Sequence, residues 1–344
     1  MGKTNPGNFF EDFSVGQVLV HATPRTVTEG DRALYTSLYP TRFAVPSSAA
    51  FAASVGLEPA PVEDLVAFHI AFGKTVPDIS LNAVANLGYA ELRFHRPVVP
   101  GDTLSTRSEV IGLKQNSNGK SGVVYVRSTA INQRGEIALD WARWVMVHKR
   151  DVDAPAPEAV LPDLAPALTA KELLIPAGLD FTRYDFVAAG EPHRLGDYEI
   201  GEKIDHVDGV TLTEAEHMIA TRLWQNTAKV HFNVEARPDG KRLIYGGHII
   251  SLARALSFNG LANAAMIAAI NAGAHTSPAF AKDTVYAWSE VLDKAELDAP
   301  GVGALRLRLV ATRGRDESMT LRGEDGKYAP NVLLDLDYWA LMPA

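Results

Sequence analysis

The chain has 344 residues, 47% hydrophobic and 22% charged, the proportions of a water-soluble globular protein with room for two ordinary domains. A formal net charge of −8 argues against nucleic-acid binding, which needs a basic stripe to displace counterions. The lack of cysteine excludes disulfides, thiolate nucleophiles and zinc–cysteine sites. The start, MGKTNPGNFFEDF, has no apolar core of the signal-peptide kind, and charges interrupt every hydrophobic stretch. Neither a leader nor a membrane span is expected, and a cytoplasmic location is the simplest reading.

In chain order, a short helix is predicted in TEGDRALYTSLY (28–39), where Thr28 stands at the cap and acidic residues fill the first turn. A longer alanine-rich helix is predicted over roughly 64–86. The period-two stretches GVVYVRSTAIN (122–132) and ALDWARWVMVHK (138–149) read as strands. The proline- and alanine-rich DVDAPAPEAVLPDLAPALTA opens a segment, 151–178, that reads as an extended linker packing little itself. The same order then returns: a short helix in TEAEHMIATRLW (213–224), a long helix over roughly 248–271, and strands in ALRLRLVA (304–311) and LLDLDYW (333–339).

This return is a duplication. EDFSVGQ (11–17) matches GDYEIGE (196–202), and TVTEGD (26–31) matches TLTEAE (211–216), both at a shift of 185. ISLNAVAN (79–86) matches LSFNGLAN (256–263), and PVVPGDTLSTRSEVI (97–111) matches PAFAKDTVYAWSEVL (278–292). Four blocks in one order imply two copies of a unit, 1–150 and 179–344. One long helix followed by antiparallel strands makes each an α+β unit, its sheet wrapped round a buried helix.

That order, with RFHRPVVPGDTL (93–104) and its counterpart SPAFAKDTV (277–285), resembles the MaoC-like hydratases of the hot-dog fold. The resemblance covers both halves and implies a double hot-dog chain. Within the family, GKTVPDISLNAVANLGYAE, RLWQNTAKVHF and YGGHIISLARALSFNGLANA are similar to the branch that acts on mesaconyl-CoA. The implied activity is reversible hydration of an α,β-unsaturated acyl-CoA, with mesaconyl-CoA and β-methylmalyl-CoA as the expected pair. No cofactor is expected, coenzyme A being part of the substrate.

Family members place an aspartate and, five positions later, a histidine after the first helix to activate water. The matching positions here are Asn226 and His231. An amide cannot take a proton at neutral pH, so His231 is expected to be the only general acid/base, with Asn226 orienting the water. Glu214 and Glu235 are the nearest carboxylates in sequence that could fill the gap. The shift of 185 puts Thr41 and Pro46 at the same places in the first copy, so that copy is expected to have lost its site.

The resemblance also implies that YGGHIIS (245–251) starts the long second helix with free N–H groups at Gly246 and Gly247 facing the thioester oxygen. His248 follows as a further candidate. A substrate carboxylate needs a buried partner, and helical spacing suggests Arg222, four residues before Asn226, or Arg254, seven after Gly247. The ten histidines are scattered singly along the chain, so no metal site is expected. The expected partner is an acyl-CoA thioester, not nucleic acid or membrane. A homo-oligomer is permitted but not needed to complete a site. An acyl-CoA thioesterase and a non-catalytic acyl-CoA-binding module are the alternatives these residues leave open.

Overall fold

The computed structural model describes residues 3–344. The first part of the chain contains β1 (Val18–Thr26), α1 (Glu29–Leu38), the short helices α2 (Ala44–Ser47) and α3 (Ala49–Ser54), α4 (Asp64–Thr75), β2 (Ala83–Phe94), β3 (Thr103–Gln115), β4 (Ser121–Ile131) and β5 (Ile137–His148). The second part contains α5 (Phe186–Ala189), β6 (Lys203–Thr211), α6 (Glu214–Leu223), α7 (Gly246–Leu256), α8 (Phe258–Leu261), β7 (Met266–His275), β8 (Thr284–Glu296), β9 (Val302–Arg313) and β10 (Val332–Pro343). Among the described residues no helix is long and apolar enough to cross a membrane.

The ten strands make one sheet in the order β1-β3-β4-β5-β2-β7-β10-β9-β8-β6. Each half has the same internal order, and the halves meet where β2 pairs antiparallel with β7, Tyr89 opposite Gly273 and Leu92 opposite Ile270. The double hot-dog arrangement expected from the sequence is therefore a continuous sheet with a pseudo-twofold at its centre. The repeated phrase at the head of β3 and β8 is a structural one. Asp102 Oδ2 accepts the Val99 N–H at 3.2 Å, and Asp283 Oδ2 accepts the Phe280 N–H at 2.9 Å, closing the same turn in each half.

α1 and α6 start where their caps predict: Thr28 accepts from the Asp31 N–H and Thr213 from the Glu216 N–H. α4 and α7 are different in kind. All twelve residues of α4 and ten of the eleven in α7 are buried, as the sheet's concave face wraps both.

Both long helices are shorter than expected. α4 stops at Thr75, a wide helical turn follows over Val76–Ser80, and 83–94 is strand β2. α7 stops at Leu256; Asn259 and Gly260 leave helical backbone angles, and 266–275 is strand β7. The misread run, MIAAINAGAH, is small and apolar on both faces because β7 lies at the middle of the sheet, covered on each side. Such a run carries no period that separates strand from helix.

What covers the outer side is the segment expected to pack little. Val160 bridges Leu113, the Leu168 N–H donates to Asn271 Oδ1 at 2.9 Å, and Trp339 Nε1 donates to the Leu168 carbonyl at 2.9 Å. Leu168 and Leu173 of this segment, with Leu179 just beyond it, are buried with Met266, Ala268 and Trp339 in a second core. The convex face of the central strands is apolar and would otherwise meet water.

Candidate active site

α6 ends at Leu223, and Gln225 takes a positive φ of 50°, which turns the chain inward. Asn226 is thereby buried, its Oδ1 accepting the Ala228 N–H at 3.0 Å. A single helical turn, Lys229–His231, brings His231 back to the same side. His231 is half-buried and its Nδ1 lies 2.8 Å from the Leu243 carbonyl, which can only accept. The proton is therefore on Nδ1, and Nε2 carries a lone pair. Burial pushes the His231 pKa down to about 4, against the weaker pull of the Leu243 carbonyl.

The start of α7 lies alongside. The Tyr245 ring is 5.4 Å from the His231 ring, and the Gly246 and Gly247 N–H groups find no acceptor among the described residues. These are the free donors of a helix N-terminus, aimed where a negative oxygen is favoured. Their glycines answer to packing as well as to substrate. A Cβ on Gly246 would come within 2.4 Å of the His275 ring, and one on Gly247 within 2.4 Å of Tyr245 and 2.6 Å of His69.

Sequence reasoning missed most of what surrounds this pair. His217 on α6 accepts the Tyr245 N–H through Nε2 at 2.9 Å, holding the start of α7 in place. Its Nδ1 then carries the proton, and that N–H has no acceptor among the described residues. The His217 ring stands 5.9 Å from His231 and 5.8 Å from His248. The first half contributes Tyr39, whose hydroxyl lies 2.8 Å from His248 Nδ1, and Tyr89, whose hydroxyl lies 3.2 Å from His275 Nε2. It also contributes His69, bonded through Nε2 to Ser251 Oγ at 3.0 Å. The histidines scattered singly in sequence thus converge, five of them, at the seam between the halves.

Burial lowers all of them: His69 to about 3, His217 to about 2, His248 and His275 to about 4. For His217 the neighbouring His231 and His248 add to the burial. The site is a cluster of neutral imidazoles. A signal existed for one of them, since His69 interrupts the apolar run LVAFHIAF (65–72), where an ionisable residue needs a reason.

Three sequence expectations are corrected. Glu214 is exposed and ion-paired to Arg242, and Glu235 is exposed, so neither supplies the missing carboxylate. Arg222 is exposed on the outer side of α6, whose buried face is His217, Ala220, Thr221 and Leu223. Arg254 is buried but engaged: it lies 3.5 Å over the Phe43 ring, donates to the Ala264 carbonyl and reaches Glu63 Oε1 at 3.9 Å. Helical spacing could not show that α6 turns Arg222 outward, nor that Arg254 already has Glu63 as a partner. Thr41 and Pro46 are buried beside Glu63 in a narrow cleft with no imidazole lining it.

The family model described as mesaconyl-CoA hydratase matches residues 2–321. The chain is 67% identical over 341 residues to a mesaconyl-CoA hydratase of Cereibacter sphaeroides, with 99% of each chain covered. It is 61% identical over 348 residues to a β-methylmalyl-CoA dehydratase of Chloroflexus aurantiacus, covering 99% of this chain and 98% of that one. A solved structure of a MaoC domain dehydratase from Chloroflexus aurantiacus superposes with a TM-score of 0.97 at 61% identity, over 100% of this chain and 99% of that one. A Mycobacterium tuberculosis protein described as a double hotdog fold superposes with a TM-score of 0.75 at 27% identity, over 97% and 98% of the two chains. Family model, sequence relatives and fold agree over nearly the whole length, and the chain belongs to the mesaconyl-CoA hydratase family.

Proposed function

We propose that the chain catalyses reversible hydration of mesaconyl-CoA to β-methylmalyl-CoA, in its second half and without a cofactor. The observation that carries this reading is the juxtaposition of a neutral His231, its tautomer fixed by the Leu243 carbonyl, with the free N–H groups that open α7. His231 Nε2 takes a proton from water as the water oxygen bonds to the β-carbon. The electron pair of the double bond moves towards the thioester, and the negative oxygen is held by the Gly246 and Gly247 N–H groups. The imidazolium then returns the proton to the α-carbon, so the elements of one water are added. Asn226 holds the loop through Ala228 and leaves its NH2 group and one lone pair for the water.

The first half, in this reading, has a structural and substrate-lining role. It closes the sheet and supplies Tyr39, His69 and Tyr89 to the seam. The test is a pair of variants on mesaconyl-CoA, followed by loss of enoyl absorbance. His231→Ala should lower kcat by on the order of 10²–10⁴, the usual worth of a positioned acid/base, while Pro46→Ala should leave it nearly unchanged. Comparable losses in both would mean the active half is wrongly assigned. Release of free thiol without loss of the double bond would favour thioester hydrolysis instead.

A further inference from the structure

The turn that delivers Asn226 carries a residue poorly suited to it. Beyond α6 the Gln225 N–H donates to the Arg222 carbonyl at 3.0 Å, and the Asn226 N–H to the Thr221 carbonyl at 3.0 Å. These two bonds make a left-handed helix stop, whose turning residue is ordinarily glycine because a Cβ opposes a positive φ. Here that residue is Gln225, at a φ of 50°. A long side chain stands where glycine would be favoured, and that side chain has a partner.

The partner is Lys74, from the other half of the chain. It lies in the last turn of the buried helix α4 and is only 5% exposed. Its Nζ donates to Gln225 Oε1 and, at 3.3 Å, to Thr23 Oγ1. Both acceptors are neutral, and Lys74 forms no ion pair among the described residues. Burial, and after it the charge of Arg25, lower the Lys74 pKa from the usual lysine value. An ammonium in such a place is unfavourable, and the C-terminal end of a helix offsets only part of that. One residue earlier, Gly73 lets the Trp224 carbonyl seat directly against α4. A left-handed glutamine and a buried lysine without a carboxylate, each unfavourable alone, thus meet in one contact across the seam. Asn226 is the next residue. The half that lacks the Asn–His pair lacks this turn as well. At the shift of 185 Gln225 corresponds to Pro40, whose ring excludes a positive φ, and α1 runs into extended backbone at Tyr39.

We propose that Lys74 is a positioning residue for the chemistry of the second half: its bond to Gln225 locks the left-handed turn, and the locked turn sets where Asn226 holds water. Lys74 acts through Gln225 and not on the substrate. The first half thereby contributes to catalysis from outside the ring cluster at the seam.

The proposal rests on the reading of Asn226 and His231 as the hydrating pair, and the experiment separates the two. Lys74→Met, Lys74→Arg and the double variant Lys74→Met/Gln225→Gly are assayed on mesaconyl-CoA and on crotonyl-CoA, which lacks the second carboxylate, and their thermal midpoints are measured. Lys74→Met should lower kcat about tenfold on both thioesters and leave each KM within about threefold, since a small displacement of a catalytic group acts on the rate. Its thermal midpoint should hold or rise, because methionine fills the space without a buried charge. A lysine that only stabilised the fold would lower the midpoint and leave kcat of the folded enzyme alone. Lys74→Arg keeps a charged donor and should recover most of the lost kcat. The double variant should recover it too, because glycine adopts the left-handed turn without being held. If Lys74→Met does not fold, Gln225→Ala and Gln225→Gly are compared: the alanine should lose kcat and the glycine keep it. Wild-type kcat in Lys74→Met, no recovery in the double variant, or equal losses in Gln225→Ala and Gln225→Gly overturn the proposal. A KM that rises on mesaconyl-CoA alone overturns it as well, since Lys74 would then hold the substrate carboxylate directly. His231→Ala checks the underlying reading separately: normal turnover there removes the site itself, whatever Lys74 does.

Discussion

His231 commits its Nδ1 proton to the Leu243 carbonyl and is held by burial at a pKa of about 4, so its Nε2 lone pair is present throughout the neutral range. An exposed histidine base would lose activity as pH falls through about 6.5. Here kcat/KM should stay flat through that region and fall only near pH 4, or wherever the fold is lost first. A pH–rate profile with an inflection near 6.5 in folded protein would contradict the burial argument. Asn226 is a second test at this scale. Its Oδ1 already serves the Ala228 N–H, so Asn226→Asp keeps that bond and should keep substantial activity. Asn226→Leu orphans a buried donor at about 1–3 kcal/mol and releases the loop, so both the thermal midpoint and kcat should drop. Equal behaviour of the two variants would remove Asn226 from the mechanism. The two positions could be singled out in the sequence because the family resemblance points to them and both lie within one loop.

The loop carrying Asn226 leans on α4 of the other half. A Cβ on Gly73 would lie 2.0 Å from the Trp224 carbonyl and 3.4 Å from the Asn226 nitrogen, both backbone atoms that cannot swing aside. Gly73→Ala should therefore destabilise the protein by about 1–3 kcal/mol and lower kcat, although Gly73 touches no substrate. A stable, fully active Gly73→Ala would show that the two elements yield to each other. The short helices α1 and α6 could be placed from sequence, because a cap is a local bond between Thr28 and Asp31 or Thr213 and Glu216. The ends of α4 and α7 were misplaced although local breakers follow both, Pro77 after α4 and Asn259–Gly260 after α7. That the residues beyond those breakers are strands is decided by partners far along the chain. Arg222 lies away from the site for a related reason: a helical spacing gives a face relative to its neighbours, not relative to the sheet; Arg254 is buried, but Glu63 already holds it.

Six histidines, His69, His206, His217, His231, His248 and His275, are held by burial at pKa values of about 4 or below. Unfolding returns each to about 6.5, so below that pH the unfolded state binds more protons and stability falls with falling pH. Each histidine steepens the loss by up to about 1.4 kcal/mol per pH unit between about 6.5 and 4. Asp64, raised to about 7 mainly by burial, and Glu63, raised by burial against the pull of Arg254, act in the opposite sense. Their contribution is present at low pH and is lost as pH rises through the raised values. Six groups against two leave a net acid lability. The thermal midpoint should fall steeply from pH 6.5 to 4, as differential scanning calorimetry would read; a midpoint constant over that window would mean the imidazoles are hydrated.

By itself the sequence determined the duplication, the family, and which residues, Asn226 and His231 in one half and Thr41 and Pro46 in the other, stand at matching positions, because each is written in residues close together in the chain. Tertiary structure decided the rest. His69, Tyr39 and Tyr89 come from one half, His217, Tyr245, His248 and His275 from the other, and it is the joining of the halves at the β2–β7 pairing that brings them into one cluster. Whether a buried arginine already has a carboxylate, as Arg254 has Glu63 and Arg143 has none among the described residues, depends on residues far apart in sequence. Charge balance in a core is a property of contacts across the fold, and no local pattern in the chain records it.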